Sequence, residues 1–241
     1  MEADAGEFLS DFFTLHSDLP REGPGCADDV RWALEVAGVR PDAAICDVAC
    51  GPGADTETLS QERPNARIDA VDLQSHFIAA VRARDLRNVT AHQCDMLELP
   101  GQYDFIWCAG AAYIPGVERA LTSWAGALRP GGAIAFSEPC HPGETLSKVA
   151  REFWGASYTP ASLAGIEKRI DDAGFRTLAQ RWVIGAPWAA YYDPMQSRID
   201  HLRQAADKGL TEILDAEQRD IDRWKQAPNE IAYSLHVVVP K

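Results

Sequence analysis

The residues of this chain that could do chemistry are carboxylates placed around a glycine-rich loop. Residues 45–56 read ICDVACGPGADT, in which an apolar run leads into Gly51 and Gly53 and then into a helical pattern. Glycines at such a junction let the backbone turn sharply and let a ligand lie against it. The crevice after the first strand of an open α/β sheet is the usual nucleotide site. The loop therefore predicts a nucleotide-type ligand.

The carboxylates narrow the class of nucleotide. Asp47 precedes the loop, and Asp72, Asp95 and Glu138 each follow a later apolar run. A carboxylate about 20 residues beyond the glycines suits ribose hydroxyls, and a site fringed with carboxylates favours a cationic ligand over a polyphosphate. Thr56 stands where a dinucleotide fingerprint has its third glycine, and the sequence has no phosphate-binding loop of the G-x-x-x-x-G-K-[ST] type. We interpret the site as one for a nucleoside without phosphates.

These residues need a sheet with helices to position them, and the hydrophobic pattern supplies one. The strand candidates are Ala44–Ala49, Arg67–Asp72, Val89–Gln93, Phe105–Cys108, Ala133–Ser137, Thr177–Ile184 and Ser234–Val239. The helical patterns between the first five are Asp55–Glu62, Gln74–Arg84 and Glu118–Leu128, the last closed by Arg129-Pro-Gly-Gly. This alternation predicts an α/β fold: a Rossmann-like, seven-stranded, mostly parallel sheet with helices on both faces and an antiparallel last strand.

Two further segments are expected to cover the sheet as helical caps. Residues 1–40 carry an apolar stripe formed by Phe8, Leu9, Phe12, Phe13 and Leu15. Residues 185–231 form a polar insertion that opens with Trp188 and continues as two helical patterns, Met195–Asp207 and Thr211–Gln226. Its acidic run from Asp215 to Asp222 is expected to be a solvated helix face. The predicted division is a cap at 1–40, a core at 41–184, a cap at 185–231 and the last core strand at 232–241.

Composition excludes several classes of protein. The chain has 241 residues, 46% of them apolar, and a formal net charge of -13. Wholesale disorder is excluded by the apolar content, and the acidic excess disfavours a nucleic-acid partner. No apolar stretch approaches the length of a membrane span, and the acidic N-terminus is no secretory signal. Six cysteines without a C-x-x-C pair indicate reduced thiols in a cytoplasmic protein and no metal site (Cys26, Cys46, Cys50, Cys94, Cys108, Cys140).

Together these motifs resemble the class I S-adenosylmethionine-dependent methyltransferases over about residues 40–140. The motifs are Asp47-Val-Ala-Cys-Gly-Pro-Gly, Val71-Asp-Leu, Cys94-Asp-Met, Tyr103-Asp-Phe-Ile-Trp and Leu128-Arg-Pro-Gly-Gly. The amphipathic stretch Ile166–Phe175 matches a later portion of that family. The Arg21-Glu-Gly-Pro-Gly loop, Gly110-Ala-Ala-Tyr and the Trp188…Tyr191-Tyr192 segment resemble a bacterial subgroup that acts on small molecules. One departure is Ala49, which stands where the family usually has its first loop glycine.

The resemblance implies S-adenosylmethionine as cofactor and a role for each matching residue. The methionine part would be lined by Asp47, Ala49, Gly51 and Gly53. Asp72 would accept hydrogen bonds from the ribose hydroxyls, Leu73 would pack on the adenine, and Asp95 would take the adenine amino group beside Met96. The strand end at Cys108 and Ala109 would face the sulfonium. Arg21 would clamp a carboxylate of the cofactor or the substrate.

The implied reaction is transfer of the methyl group to a small-molecule acceptor, leaving S-adenosylhomocysteine. No obligatory catalytic dyad is evident, and none is required, because the cofactor supplies the reactivity. Tyr113, Glu138 and His141 are candidate catalytic residues, although for His141 a surface or structural role is favoured over that of a general base. Trp188, Tyr191 and Tyr192 are candidates for substrate binding or for the core of the cap. The remaining histidines are interpreted as structural (His16, His76, His92, His201, His236).

Two other classes of function stay open at this point. One is a regulatory module that binds S-adenosylmethionine without transferring its methyl group. The other is a nicotinamide-dependent oxidoreductase. This class is disfavoured by Thr56 in place of the third glycine and by Asp47 before the loop. The acceptor atom and the oligomeric state also stay open.

Overall fold

The computed structural model describes residues 11–155 and 159–241. The helices are α1 (residues 11–16), α2 (Ala27–Val36), α3 (Ala54–Glu62), α4 (Ser75–Ala83), α5 (Val117–Ala125), α6 (Lys148–Trp154), α7 (Leu163–Asp172), α8 (Ala186–Leu202) and α9 (Lys208–Gln226). The strands are β1 (Ala44–Val48), β2 (Arg67–Asp72), β3 (Val89–Gln93), β4 (Tyr103–Cys108), β5 (Leu128–Pro139), β6 (Phe175–Val183) and β7 (Tyr233–Pro240). None of the helices within these ranges is long and apolar enough to cross a bilayer.

The seven strands form one sheet in the order β3-β2-β1-β4-β5-β7-β6. The pairings among β1 to β5 are parallel, and β7 is antiparallel to both of its neighbours. The strand order reverses between β1 and β4, so the carboxyl ends of these strands open a crevice at that point. This Rossmann-like α/β architecture agrees with the sequence prediction, including the antiparallel last strand.

Alternation along the strands divides the core into two layers. In β4, Phe105 and Trp107 pack in a cluster on one face, and Ile106 and Cys108 pack in a cluster on the other. The first cluster includes side chains of α2, α3, α8 and α9, whereas the second includes side chains of α5 and α7. The inner strands β1 and β4 are therefore buried on both faces along almost their whole length, whereas the edge strands β3 and β6 are more exposed.

Of the boundaries that differ from the predicted ones, two lie near prolines. The predicted helix to Leu128 ends at Ala125, and the Arg129-Pro-Gly-Gly run belongs to β5, where the pairing register with β4 shifts between Tyr103 and Phe105. In the insertion, α8 begins at Ala186 rather than Met195 and keeps Pro194 inside the helix. Trp188, Tyr191 and Tyr192 therefore lie on a helix, and the helical geometry sets the directions in which their side chains point.

The N-terminal region packs on the insertion. The Gly25 N–H donates to the Pro187 carbonyl (3.1 Å), and Arg198 Nη2 donates to the Thr14 carbonyl (2.9 Å). Leu15 is fully buried in the first cluster. Phe8 and Leu9 of the predicted apolar stripe lie outside the described residues. Helices α2 and α6 were not predicted from the hydrophobic pattern.

Candidate functional site

The glycine loop lies between β1 and α3 and is tied to β2. Ala49, Gly51 and Gly53 all have positive φ, at +54°, +53° and +90°, a conformation that glycine adopts most easily. The Gly51 N–H donates to Asp72 Oδ2 (3.0 Å), and the Cys50 N–H donates to the Val71 carbonyl (3.0 Å). The loop and the end of β2 therefore have a fixed relative position.

Asp72 is held by two backbone donors and keeps free acceptor capacity. Its Oδ2 accepts from Gly51, and its Oδ1 accepts from the Gln74 N–H at 2.8 Å. A carboxylate has about four lone-pair positions, so each oxygen can accept one more hydrogen bond. Asp72 lines the crevice and is 9% exposed. A pair of vicinal hydroxyls matches what this carboxylate can still bind.

Asp47 is a buried acid at the base of the loop. It is 2% exposed, and its Oδ2 accepts a hydrogen bond from Thr56 Oγ1 at 2.5 Å. Burial, followed by the charge of Asp55, raises the pKa of Asp47 to about 8, although the Thr56 hydroxyl acts in the opposite direction. A positively charged ligand group beside Asp47 would remove this penalty.

Arg21 reaches the same region but is already paired. Its Nη2 donates to Asp55 Oδ1 (2.5 Å), and its Nη1 donates to the Gly23 carbonyl (3.2 Å). Asp55 Oδ2 also accepts from Trp107 Nε1 (3.1 Å). Asp55 was not predicted as a site residue, although its position in the first helical turn after the glycine loop could have indicated it.

These groups surround a cavity of about 750 Å³ at the carboxyl ends of β1, β2 and β4. Eleven of the predicted residues line it: Arg21, Asp47, Ala49, Gly51, Asp72, Leu73, Asp95, Met96, Ala109, Tyr113 and Tyr191. The lining includes two of the most exposed apolar side chains in the described ranges, Leu73 (62%) and Ile114 (67%). Exposed apolar groups beside a crevice are typical of a surface that a ligand covers.

The part of the chain that forms most of this cavity is also the part that resembles known proteins. A family model described as a methyltransferase domain matches residues 45–132. A trans-aconitate 2-methyltransferase of Deinococcus radiodurans is 32% identical over 119 residues, which cover 47% of this chain and 46% of that protein. One of Streptomyces avermitilis is 30% identical, covering 71% of this chain and 66% of that protein. The chain spans less than half the length of the first curated relatives it matches.

Solved structures are similar to this chain over nearly its whole length. A methyltransferase from Geobacter sulfurreducens, in complex with S-adenosyl-L-homocysteine, has a TM-score of 0.82 at 17% identity and covers 96% of this chain and 98% of that one. A methyltransferase from Thiobacillus denitrificans gives 0.81 at 16% identity, covering 95% and 98%. Residues 45–132 therefore match a methyltransferase domain, and the fold of the described chain is that of S-adenosylmethionine-dependent methyltransferases. The cofactor that these comparisons indicate is S-adenosylmethionine.

The cavity fits that cofactor by the chemistry of its lining. S-adenosylmethionine carries a positive sulfonium and amino group, two ribose hydroxyls and a flat base. Asp47 is a buried acid that a cation would stabilise, and Asp72 retains two acceptor positions for the hydroxyls. Leu73 and Met96 give the lining apolar surface that suits a flat base, and Asp95 Oδ1 accepts a hydrogen bond from the Leu97 N–H at 2.8 Å. The lining therefore matches the chemistry of S-adenosylmethionine.

Two predicted cofactor residues do not line the cavity. A Cβ added to Gly53 would lie 2.9 Å from Val81 Cγ2, so this glycine is required for packing of the loop on α4. Cys108 is fully buried at the end of β4, and burial raises the pKa of its thiol. Both residues support the cavity wall, and the adjacent Ala109 reaches the lining.

The structure separates the three aromatic residues of the insertion. Trp188 is 2% exposed, and its Nε1 donates to the Val183 carbonyl (3.1 Å). The ring of Tyr192 lies 5.4 Å from that of Trp224 and is also buried. Neither lines the cavity, whereas Tyr191 does. The two buried rings belong to the core beneath the insertion.

Glu138 and Tyr113 meet at a smaller cavity of about 400 Å³ that shares Tyr113 with the first. Glu138 is 1% exposed, and its Oε1 lies 3.6 Å from Arg169 Nη1. Burial raises the pKa of Glu138 to about 7, with Arg169 opposing the change. His141 lines neither cavity, and its Nδ1 lies 2.5 Å from the Gly143 carbonyl. Of the three candidate catalytic residues, two face a cavity.

Besides Asp55 and Arg119, three titratable residues at one end of the large cavity were not predicted as site residues. They are His16, Glu22 and Glu217, from α1, the loop after it and α9. His16 was interpreted as structural, and Glu217 belongs to the run that was expected to be solvated. Burial raises the pKa of Glu217, which corrects that expectation for this residue. No local pattern marked them, because about 200 residues separate the two helices along the chain.

Proposed function

We propose that this chain transfers the methyl group of S-adenosylmethionine to a small-molecule acceptor and releases S-adenosylhomocysteine. The observation that carries the proposal is the cavity at which the glycine loop meets Asp72 and Asp95. Its volume lies within the range of about 300–1,000 Å³ found for small-ligand pockets.

The proposal assigns the predicted residues to parts of the cofactor. Asp47 would face the amino group, Asp72 the ribose hydroxyls, and Leu73, Asp95 and Met96 the adenine. The ion pair of Arg21 and Asp55 supports a role in closing the loop over the methionine part, rather than a free guanidinium that clamps a carboxylate. When bound, the cofactor supplies an electrophilic methyl group, and the chain has to hold it, align the acceptor and exclude water.

The acceptor would lie under two helical caps, residues 1–40 and 185–231, with the core in 41–184 and 232–241. Tyr191 of α8 and His16 of α1 line the cavity, which supports this division. The smaller cavity with Glu138 extends from Tyr113 and would offer further acceptor space. A concave site of this size favours a small molecule over a nucleic acid or protein acceptor.

Binding and turnover test the proposal in sequence. The purified, cofactor-free protein is titrated calorimetrically with S-adenosylmethionine, S-adenosylhomocysteine and NAD in parallel. Micromolar binding of the first two and none of NAD is expected. Formation of S-adenosylhomocysteine is then measured against a set of acceptors. A folded protein that binds neither sulfur nucleoside would overturn the proposed function, and binding without any turnover would favour a regulatory module.

A further inference from the structure

One end of the large cavity is built by residues far apart in the sequence. It is lined by His16 of α1, Glu22 of the following loop, Tyr191 of α8 and Glu217 of α9. The His16 side chain is 5% exposed, and its ring stacks on Phe12 with centroids 4.0 Å apart. The imidazole is therefore buried, oriented and in contact with the cavity.

Glu22 determines which nitrogen of His16 carries the proton. His16 Nδ1 lies 2.6 Å from Glu22 Oε2. When Glu22 is ionised it only accepts hydrogen bonds, so Nδ1 is the donor, and the neutral form of His16 then presents a lone pair at Nε2. That Nε2 is buried and has no hydrogen-bond partner within the described ranges, and the same is true of Glu22 Oε1. A buried acceptor left unpaired is costly, and a ligand in the cavity can supply its donor.

The charges around the cavity restrict what that ligand can be. Six acidic side chains line it, from Glu22, Asp47, Asp55, Asp72, Asp95 and Glu217, against two guanidinium groups, and burial raises the pKa of Asp47 and Glu217 among them. Arg21 is paired with Asp55, and Arg119 is exposed at the side shared with the smaller cavity. A ligand with several carboxylates would meet repulsion at the His16 end, whereas a neutral or cationic hydrogen-bond donor would be attracted.

We propose that His16 is the general base of the reaction and that the acceptor is a hydroxyl- or amine-bearing molecule rather than a polycarboxylate. This inference rests on the proposed function. The acceptor heteroatom forms a bond to the methyl carbon while the carbon–sulfur bond breaks, and the electron pair of that bond stays on sulfur. The proton of the acceptor passes to His16 Nε2, and Glu22 stabilises the imidazolium that forms.

The acceptor class proposed for this chain differs from the acceptor named for several of its relatives. Several of them are trans-aconitate methyltransferases, and trans-aconitate is a tricarboxylate. An enzyme for such an acceptor needs cationic partners for it. The His16 end of this cavity offers carboxylates and aromatic rings instead.

An acceptor screen tests the substrate class. The protein is incubated with S-adenosylmethionine and either a set of phenols, catechols and aliphatic amines, or trans-aconitate and citrate. S-adenosylhomocysteine formation above the background is expected with members of the first set and with neither carboxylate. Turnover of trans-aconitate or citrate would overturn the proposal, as would silence throughout by protein that binds S-adenosylhomocysteine. Loss of that binding would instead count against the proposed function.

Substitution of His16 tests the base. His16→Asn keeps an amide donor near Glu22 but removes the acceptor at Nε2. The expected result is a fall of about a hundredfold in single-turnover rate with unchanged affinity for S-adenosylhomocysteine. His201→Asn makes the same change at an exposed position of α8 and should leave both unchanged. A His16→Asn protein that transfers at the wild-type rate would rule out the base.

Two further measurements do not depend on the folding of that variant. Nitrogen-15 NMR of the histidine side chains should show neutral His16 with a proton on Nδ1 and none on Nε2. The opposite tautomer would contradict the proposal. Glu22→Gln removes the charge that stabilises the imidazolium and should lower the rate about tenfold or more without weakening S-adenosylhomocysteine binding. A normal rate in this variant would also contradict it.

Discussion

At the residue scale, the cavity contains two buried carboxylates that the protein treats differently. Asp72 accepts two backbone N–H groups, which stabilise its charge. Asp47 has one hydroxyl donor and the nearby charge of Asp55, so its charged form is disfavoured. The first keeps acceptor positions that suit neutral hydroxyls, and the second is suited to respond to a cation.

Removal of the Asp72 carboxylate should weaken cofactor binding. Asp72→Ala eliminates both remaining acceptor positions and frees the Gly51 N–H. The expected loss is about 1–3 kcal/mol in the binding of S-adenosylhomocysteine, as for buried charged hydrogen bonds, measured by calorimetry. Asp42→Ala, the same change at an exposed position, should have no effect. Unchanged affinity in a folded Asp72→Ala protein would remove Asp72 from the site.

Asp47 should lose a proton when the cofactor binds. At pH 7, below its pKa of about 8, this acid is largely protonated in the free protein. A cationic amino group beside it favours the charged form, so binding releases nearly one proton. The apparent binding enthalpy should then differ between phosphate and Tris buffers by the difference in their ionisation enthalpies. Asp47→Asn should remove the difference, and equal enthalpies for the wild type would show that Asp47 does not titrate.

The sequence predicted the residues proposed to face the cofactor better than those proposed to face the acceptor. Asp47 and Asp72 lie at the carboxyl ends of β1 and β2 and Asp95 follows β3, and the carboxyl ends of neighbouring parallel strands meet at one edge. His16 and Glu217 have no such local signal. Their roles depend on how two helices from distant parts of the chain pack against the same cavity.

At the element scale, α8 presents two faces to different surroundings. Tyr191 lines the cavity, and Tyr192, the next residue, is buried against Trp188 and Trp224. Neighbouring residues on a helix point about 100° apart. A single helix therefore contributes to the site and to the core at adjacent positions.

Truncation of the two tyrosines should have different consequences. Tyr192→Ala leaves a cavity in the core and should lower the free energy of unfolding by about 3–5 kcal/mol. Tyr191→Ala removes a half-buried ring and should cost less than half of that, while acceptor turnover changes and S-adenosylhomocysteine affinity does not. Urea unfolding and calorimetry measure these effects. Equal destabilisation by both substitutions would contradict the assignment of the two faces.

The presence of most helices and strands was easier to predict than the residues at which they begin and end. Arg67–Asp72 and Val89–Gln93 have the predicted bounds because charged or polar residues end each apolar run. Pro194 led to a late start for α8, since a helix interior normally excludes proline. Residues 129–132 were predicted to stop a helix, whereas they form an irregularity at the start of β5. Tertiary packing decides such positions, and no local pattern contains that information.

At the scale of the whole molecule, His236 links stability to pH. It lies at the centre of β7, fully buried, and Nε2 lies 2.8 Å from Ser234 Oγ. Burial lowers the pKa of this imidazole to about 4. Glu167 Oε1 lies 3.3 Å from Nδ1, but that residue is 42% exposed, so water weakens its attraction for a charged ring.

Between the ordinary histidine pKa of about 6.5 and the folded value of about 4, the unfolded chain binds a proton that the folded chain does not. Stability contributed by neutral His236 is therefore present above pH 6.5 and falls as the pH decreases. The expected loss is about 2 kcal/mol by pH 5, measured by urea unfolding at several pH values. His236→Gln should reduce this pH dependence, and exposed His201→Gln should not.

The position of β7 has a consequence for how the chain assembles during synthesis. β7 lies between β5 and β6 in the sheet, yet it is made after both. On the ribosome, β6 therefore has no strand of this sheet to pair with until β7 emerges. The partners that hold the N-terminal region, Pro187 and Arg198, emerge more than 160 residues after Gly25 and Thr14. At the usual rate of synthesis this delay is roughly 10–30 s, so the nascent chain completes its ligand cavity as one of its last folding events.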